Sequence, residues 1–343
     1  MPFVIPVFIP HQGCPHTCIF CNQFRISGHG DDPPVTVEQV RAIIGQWLSR
    51  SPERTRNSDV QVAFYGGSFT GLARCRQEEL LGAVAPFLAE GRVQTIRLST
   101  RPDYIDAQTV AFLRDHGVAV VELGVQSMDP TVLAIAERGH SAGQTVNAVR
   151  LLRRGGMQVG IQLMVGLPGQ TAGSVMRTVK QVAALQPDFV RIYPVLVLRN
   201  SRLAAMFGSG EYRPLSLAKA VVQAARMKEY FAGRGIRVVR LGLQPTLELE
   251  KSLVAGPYHP AFGELVNARI MLRKTRALLR ASGRDEQIIL SISDRDQSVF
   301  RGVRSANLQR LKELGLLERF RLVTDVDQPR HTIRKIEYSQ YLD

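Results

Sequence analysis

An α/β fold is predicted, and within it a partial (β/α)6 barrel with a small C-terminal α+β extension. Three observations lead there. Six short apolar or β-branched runs alternate with segments of helical spacing, the rhythm of βα units that build a parallel sheet. The runs are nearly all apolar, as expected of strands covered on both faces. The 343 residues, 45% of them hydrophobic, supply one large core and a smaller appendage. Six units in succession predict a curved, partly closed barrel; a flat doubly wound sheet is the alternative.

In chain order the predicted strands lie at 3–10, 60–65, 95–99, 118–125, 159–165 and 189–197. Helical spacing fills 37–48, 77–88, 107–115, 143–153 and 172–184. A helix is expected over 215–232, followed by an extended piece at 237–243. Gly256-Pro257-Tyr258-His259-Pro260 is a turn-rich break. Beyond it come a helix at 264–280, a strand at 287–292 and a helix at 307–314. The predicted domains are a barrel over 1–250 and a small basic module over 251–343.

The net charge of +14, with an isoelectric point near 10.1, favours polyanionic partners such as RNA. The apolar start, ten residues with internal prolines, is too short for a membrane span and lacks a signal peptide's basic start and cleavage site. It reads as the first strand, and no membrane association is expected. Of four cysteines, three fall within eight residues while Cys75 stands alone. Clustering of this kind, without a signal peptide, points to a metal site in a reducing, cytoplasmic compartment rather than a disulfide framework. Cys75 is expected to be a small buried residue.

Cys14, Cys18 and Cys21 form a C-x3-C-x2-C loop directly after the first strand. In barrels of this kind the chemistry sits on loops at the carboxyl ends of strands. Three thiolates suit an iron–sulfur cluster or zinc. Zinc would need a fourth ligand, for which His11 or His16 is available, and would make the chain a zinc-stabilised nucleic-acid-binding protein without catalysis. A four-iron cluster held by three thiolates leaves one iron open to a cofactor.

More motifs follow at later strand ends: Tyr65-Gly66-Gly67-Ser68-Phe69-Thr70, Ser99-Thr100-Arg101-Pro102-Asp103, Glu122-Leu123-Gly124-Val125-Gln126-Ser127, Glu137-Arg138-Gly139-His140 and Gly166-Leu167-Pro168-Gly169-Gln170. Paired glycines at a strand end admit a ligand close to the backbone. Ser127 and Asp103 are also plausible helix caps.

The cysteine loop, with Phe20 before its third thiol, and these motifs in this order resemble the radical S-adenosylmethionine superfamily over roughly residues 1–200. The resemblance implies a [4Fe-4S] cluster on Cys14, Cys18 and Cys21, with S-adenosylmethionine chelated at the open iron. One electron then cleaves the sulfonium, giving methionine and a 5′-deoxyadenosyl radical that abstracts a substrate hydrogen. By the same resemblance Gly66 and Gly67 receive the methionyl amino group, and Arg138 meets the methionyl carboxylate. Ser99 and Gln126 contact the nucleoside or methionine, and Gln162 stands where relatives place a ribose contact. An electron donor such as ferredoxin or flavodoxin is implied.

Within the superfamily, Ser-Thr-Arg-Pro-Asp-Tyr, Gly-Val-Gln-Ser and Arg-Gly-His most resemble the radical domain of the Elongator catalytic subunit family, which modifies wobble uridine in tRNA with acetyl-CoA. RNA or tRNA is the implied substrate. Oxygen-independent coproporphyrinogen oxidases share Gly-Val-Gln-Ser and Gly-Leu-Pro, which makes a tetrapyrrole or another small metabolite the alternative. The sequence departs from the Elongator pattern: no acetyl-CoA pyrophosphate loop is found after Tyr258, and no basic extension precedes the first strand. In the terminal module Arg295, Arg301, Arg304, Arg310 and Lys312, with Asn307, are a candidate nucleic-acid face. Tyr65, Tyr193, Tyr258 and His259 are candidates for a substrate pocket.

Overall fold

A computed structural model describes residues 2–9, 12–14, 18–22, 33–53, 58–283 and 286–337. Two compact units emerge: Met1–Ser216 with Tyr230–Tyr258, and Leu217–Glu229 with His259–Asp343.

The first unit is built on a seven-stranded sheet. Its strands are β1 (Phe3–Phe8), β2 (Val60–Tyr65), β3 (Thr95–Thr100), β4 (Val118–Gln126), β5 (Gln158–Val165), β6 (Phe189–Pro194) and, beyond a short β7 (Val197–Leu198), β8 (Arg237–Leu241). The order is β1-β2-β3-β4-β5-β6-β8 and all neighbours are parallel. The extended piece near 237 is therefore a seventh strand. Helices α1 (Val37–Arg50), α2 (Arg74–Ala89), α3 (Ala107–Asp115), α4 (Pro130–Ile135), α5 (Ala142–Arg154) and α6 (Ala172–Ala184) fall between successive strands. Sequence reading missed α4. Further along the chain lie α7 (Arg202–Gly208), α8 (Leu217–Ala232), α9 (Leu247–Ser252) and β9 (Leu253–Ala255). Capping boxes at Thr36, Ser141 and Thr171 start α1, α5 and α6; each hydroxyl accepts the backbone N–H three residues on. Asp106 and Asp129 cap α3 and α4.

One contact shows how strongly the sheet curls. Strands β2 and β6 stand four positions apart, about 19 Å in a flat sheet. Yet Arg191 Nη2 on β6 donates to the Tyr65 hydroxyl on β2 at 2.9 Å. The sheet is thus a curled half-barrel, and the flat alternative is excluded.

In a parallel pair, residues in register share a face. Register runs from Ser99 to Glu122, Gly160 and Phe189 in one row and from Gly124 to Gln162 and Arg191 in the next, both on the concave side. Ser99, Glu122, Gln162 and Arg191 make that side polar, with Phe189 an apolar member. The alternate residues Val7, Val62, Phe64, Ile96, Leu98, Leu123, Ile161 and Ile192 are almost fully buried. They form the convex core with helix stripes such as Val40, Ile44 and Leu48 of α1. The expectation of strands apolar on both faces therefore holds for one face only.

Gly160 of β5 sits where two lumen side chains converge. An added Cβ would lie 2.3 Å from the Phe189 ring and 3.1 Å from Glu122 Cγ. The ring is held beneath the Arg97 guanidinium at 5.1 Å and is nearly fully buried. Gly160→Ala is expected to destabilise the protein by about 1–3 kcal/mol, read as a lowered midpoint in urea unfolding, because overpacking forces backbone or ring shifts.

The second unit contains α10 (Phe262–Ala281), β10 (Ile288–Ser293), α11 (Gln297–Arg301), α12 (Ala306–Glu313), β11 (Phe320–Asp325) and β12 (Ile333–Ile336). Strand β10 is central, parallel to β11 and antiparallel to β12, and every residue of it is buried. Met271, Leu279, Leu290, Phe300 and Leu311 lie in its core.

Candidate active site

The cysteine loop is clamped by backbone contacts to the carboxyl-end loops of the half-barrel. Ser68 N–H donates to the Gln12 carbonyl at 2.9 Å, Ile19 N–H to Ala136 at 3.4 Å, and Leu203 N–H to Ile19 at 2.8 Å. Gly13 lies in the left-handed region (φ 71°), and a Cβ there would sit 2.1 Å from the Ser68 carbonyl. At Gly67 it would meet the Gln12 and Ile9 carbonyls at 2.4 and 2.6 Å. The glycines let two loops touch backbone to backbone. Three buried hydroxyls secure the next loop: Thr100 Oγ1 is 3.0 Å from Ser68 Oγ and 2.6 Å from Thr70 Oγ1.

Arg138 is delivered to this loop by the end of α4. The N–H of Arg138 bonds to the Leu133 carbonyl and that of Glu137 to Ala134, a Schellman end with Glu137 itself left-handed at φ 50°. The guanidinium donates from Nη1 to Cys18 Sγ at 2.8 Å and from Nη2 to the Gly124 carbonyl. Arg138 is buried, and among the described residues its Nε has no hydrogen-bond partner. Among the described residues Arg101, also buried, grips Asp103 through two nitrogens at 2.9–3.0 Å and leaves Nη1 unpartnered. Asp103 therefore holds an arginine and caps no helix.

Crowding by the surrounding loops and the neighbouring Cys18 raise the Cys14 pKa, against the opposing charges of Arg101 and Arg138. Burial and Arg138 depress the His140 imidazole to about 4, so the ring is neutral near pH 7.

Among the described residues, no three His, Cys, Asp or Glu side chains gather around one point as a ready metal site. The donor set nevertheless fits a cluster. Three thiols share one loop, Cys18 and Cys21 pack into the same buried group, and two guanidiniums with unpartnered nitrogens stand ready to offset thiolate charge. His11 and His16, the candidate fourth ligands for zinc, lie outside the described residues.

The other sequence-predicted residues spread over the strand ends. Gln126 closes β4 in the left-handed region (φ 66°) where the β4–β5 register shifts. The irregularity re-aims its side chain to accept from Gln162 Nε2 at 3.2 Å. Ser99 Oγ reaches the Phe64 carbonyl at 3.4 Å. Gly66 has φ 95°, a conformation that favours glycine. Gly-Leu-Pro-Gly-Gln ties its own loop: Gln170 Oε1 accepts from Gly166 N–H at 2.7 Å, while Nε2 donates to the Met164 carbonyl.

Sequence reading missed the centre of the lumen. Glu122 Oε1 accepts from the Tyr65 hydroxyl at 2.8 Å and from Arg191 Nη2 at 3.0 Å. Glu122 Oε2 lies 2.7 Å from Arg191 Nε, and Arg97 Nη1 approaches Oε1 to 3.4 Å. Arg191 Nη1 donates to the Tyr193 hydroxyl at 3.3 Å. Burial is the largest influence on Arg191 and opposes its charge, but Glu122, Tyr193 and Tyr65 together outweigh it and the pKa rises; burial and Glu122 together raise that of Tyr65. The group carries two cations to one anion. Its signal was present in the alternation Thr-Ile-Arg-Leu-Ser of β3 and Phe-Val-Arg-Ile-Tyr of β6.

Tyr258 bonds Glu250, and His259 Nδ1 accepts from the Ala261 N–H. Other expectations are corrected. Cys75 is exposed near the start of α2. Ser127 accepts from Asp129 N–H, and Asp129 is the cap of α4. Asn307 is buried, donating to the carbonyls of Ala268 and Phe300, and cannot belong to a nucleic-acid face.

A curled parallel half-barrel with polar residues on its concave side, and a three-thiol loop after its first strand, defines a partial-barrel enzyme. Residues 8–182 match the radical SAM superfamily, and residues 187–272 match the radical SAM C-terminal domain. The first match covers more than half of the chain, which belongs to the radical SAM superfamily of enzymes. The chain is 29% identical over 256 residues to a tRNA uridine(34) acetyltransferase of Methanocaldococcus infernus, covering 64% of this chain and 47% of that protein. It is 30% identical over 199 residues to the oxygen-independent coproporphyrinogen III oxidase of Pseudomonas aeruginosa, covering 56% and 42%. The chain thus spans about half the length of these curated relatives. The solved structure of archaeal Methanocaldococcus infernus Elp3, lacking residues 1–46, superposes with a TM-score of 0.61. At 24% identity, over 80% of this chain and 64% of that one, this is a likeness of fold. No helix among the described residues is long and apolar enough to cross a membrane.

Proposed function

We propose that this radical SAM enzyme modifies RNA, with tRNA as its substrate. The observation that carries the reading is Arg138, buried and bonded to Cys18, at the edge of a polar lumen. In this reading Cys14, Cys18 and Cys21 hold a [4Fe-4S] cluster. When bound there, the cluster would supply the one-electron reduction on which radical cleavage of S-adenosylmethionine depends. Arg138 holds the methionyl carboxylate, its planar fork matching that group. The Gly66–Gly67 backbone receives the methionyl amino group. Ser99, Gln126 and Gln162 orient the nucleoside. Arg97, Glu122, Arg191 and the two tyrosines wall the lumen and keep its polar groups paired.

The tRNA assignment is supported by the similarity to a tRNA uridine(34) acetyltransferase and by the +14 charge. The cytoplasm, where tRNA is modified and thiols stay reduced, is the proposed location, with a ferredoxin or flavodoxin as electron donor. The second reading, a small carboxylated metabolite such as a tetrapyrrole, draws on the excess of arginine over glutamate in the lumen.

The test is anaerobic reconstitution with iron and sulfide, chemical reduction with S-adenosylmethionine, and mass spectrometry of 5′-deoxyadenosine, with and without tRNA. Formation by the native chain, stimulation by tRNA and loss in Cys18→Ala are expected. A reduced, iron-loaded protein that forms none in either condition would sink the reading. Stimulation by a tetrapyrrole and not by tRNA would favour the second.

A further inference from the structure

The second unit carries a row of arginines that the activity does not use. Arg269, Arg273, Arg276 and Arg280 recur on α10 at spacings of four, three and four. At 3.6 residues per turn they fall within about 60° of one another, a single stripe roughly 16 Å long. Helix α12 brings a fifth. Asn307, at its start, donates to the Ala268 carbonyl of α10 at 2.9 Å, and Leu311 is buried in the same core as Met271 and Leu279. This docking sets Arg310, one turn beyond Asn307, among the charges around Arg276.

Few carboxylates answer these charges. Arg273 pairs with Glu229, and Arg310 with Glu313 at 2.8 Å. Arg269, Arg276 and Arg280 form no ion pair among the described residues, and Arg276 Nε is buried without a hydrogen-bond partner. Glu264, the acid in the first turn of α10, lies on the opposite side by helical spacing. Partial desolvation and the charges of Arg280, Arg310 and Arg269 lower the Arg276 pKa, so the cluster repels itself. Like charges one turn apart destabilise a helix. A phosphate backbone is the partner that would reverse the sign of that interaction, since guanidinium forks match phosphate oxygens.

We propose that the α10–α12 face, through Arg269, Arg276, Arg280 and Arg310, is the docking surface for the phosphate backbone of the RNA substrate. This deepens the tRNA reading and rests on it.

The test uses the full chain and unmodified transcribed tRNA. Arg269→Gln/Arg276→Gln/Arg280→Gln is compared with Arg92→Gln/Arg114→Gln/Arg150→Gln, which removes the same charge from exposed positions of the first unit. Fluorescence anisotropy across a salt series gives affinity and slope, and 5′-deoxyadenosine formation is measured on the same reconstituted samples. The α10 variant is expected to bind at least about 30-fold more weakly, with a log–log salt slope shallower by about two. The control variant should stay within threefold of native. Because self-repulsion is relieved, the α10 variant should melt at or above the native temperature. Arg269→Gln/Arg280→Gln, altering only exposed side chains, provides a milder version that should lose about tenfold. Equal losses in both triple variants, or native affinity in the α10 variant, would overturn the docking surface while leaving the tRNA reading intact. Preference of the native face for anionic phosphatidylserine vesicles, or for an acidic polypeptide such as polyglutamate, over tRNA would overturn it too. Native protein that cleaves S-adenosylmethionine but binds no tRNA would remove both.

Discussion

Arg138→Met is expected to weaken S-adenosylmethionine binding at least about 100-fold while leaving most of the iron in place. Among the described residues the native guanidinium makes one bond to Cys18 Sγ and one to the Gly124 carbonyl and its Nε has no partner. Bonds from a charged donor are each worth roughly 1.5–3 kcal/mol. Two lost bonds to a carboxylate therefore exceed 2.7 kcal/mol, the equivalent of about 100-fold. Methionine at 138 preserves apolar bulk, so the Schellman end of α4, a backbone device, should survive. Equilibrium dialysis with labelled S-adenosylmethionine, beside iron and sulfide analysis of the same preparation, separates two roles. Unchanged binding with normal iron would remove Arg138 from the cofactor site. Loss of iron along with binding would instead make it a support of the cysteine loop. Arg138→Lys keeps the charge but loses the fork, and should recover only part of the affinity.

The parts of this molecule legible in sequence were those written locally. Each strand-end motif is contiguous, so its residues share a loop whatever the sheet does. The cysteine loop, the Arg138 turn and the glycine turns could be read this way. What escaped reading depends on curvature. Tyr65, Arg97, Glu122 and Arg191 lie on four strands, and only a half-barrel lets side chains of β2 and β6 meet. Strands scored as apolar runs concealed their alternating polar row. The glycines were read as room for a ligand, yet Gly67 is also required by the Gln12 and Ile9 carbonyls that touch it. Helix α4 escaped because six residues are too short to show a periodicity. The α10 arginines show a clear helical period, but the segment was read only as a helix and its charged stripe was not singled out.

Glu122→Gln is expected to produce the largest loss of stability of any conservative lumen change, about 3–5 kcal/mol. Glu122 is 5% exposed and, among the described residues, is the one carboxylate that the two lumen arginines share. The amide can still accept from Tyr65, so the cost is not a missing acceptor. It is the charge left on Arg97 and Arg191 in a site that water barely reaches. For a unit of this size each kcal/mol moves the unfolding midpoint by about 2–4 °C, so calorimetry should record a fall of about 10 °C. Two further results distinguish a buried network from an ordinary ion pair. First, Arg191→Met in the Glu122→Gln background should recover much of the loss, because only Arg97 then remains uncompensated; the coupling should exceed about 1 kcal/mol. Second, the loss should change little between 0.05 and 0.5 M salt, because buried pairs are poorly screened. A midpoint shift under 2 °C, additive with Arg191→Met and erased by salt, would make the group a solvated pair. The lumen's shape would then rest on the convex core alone, and the spacing between the strand-end loops would not depend on charge.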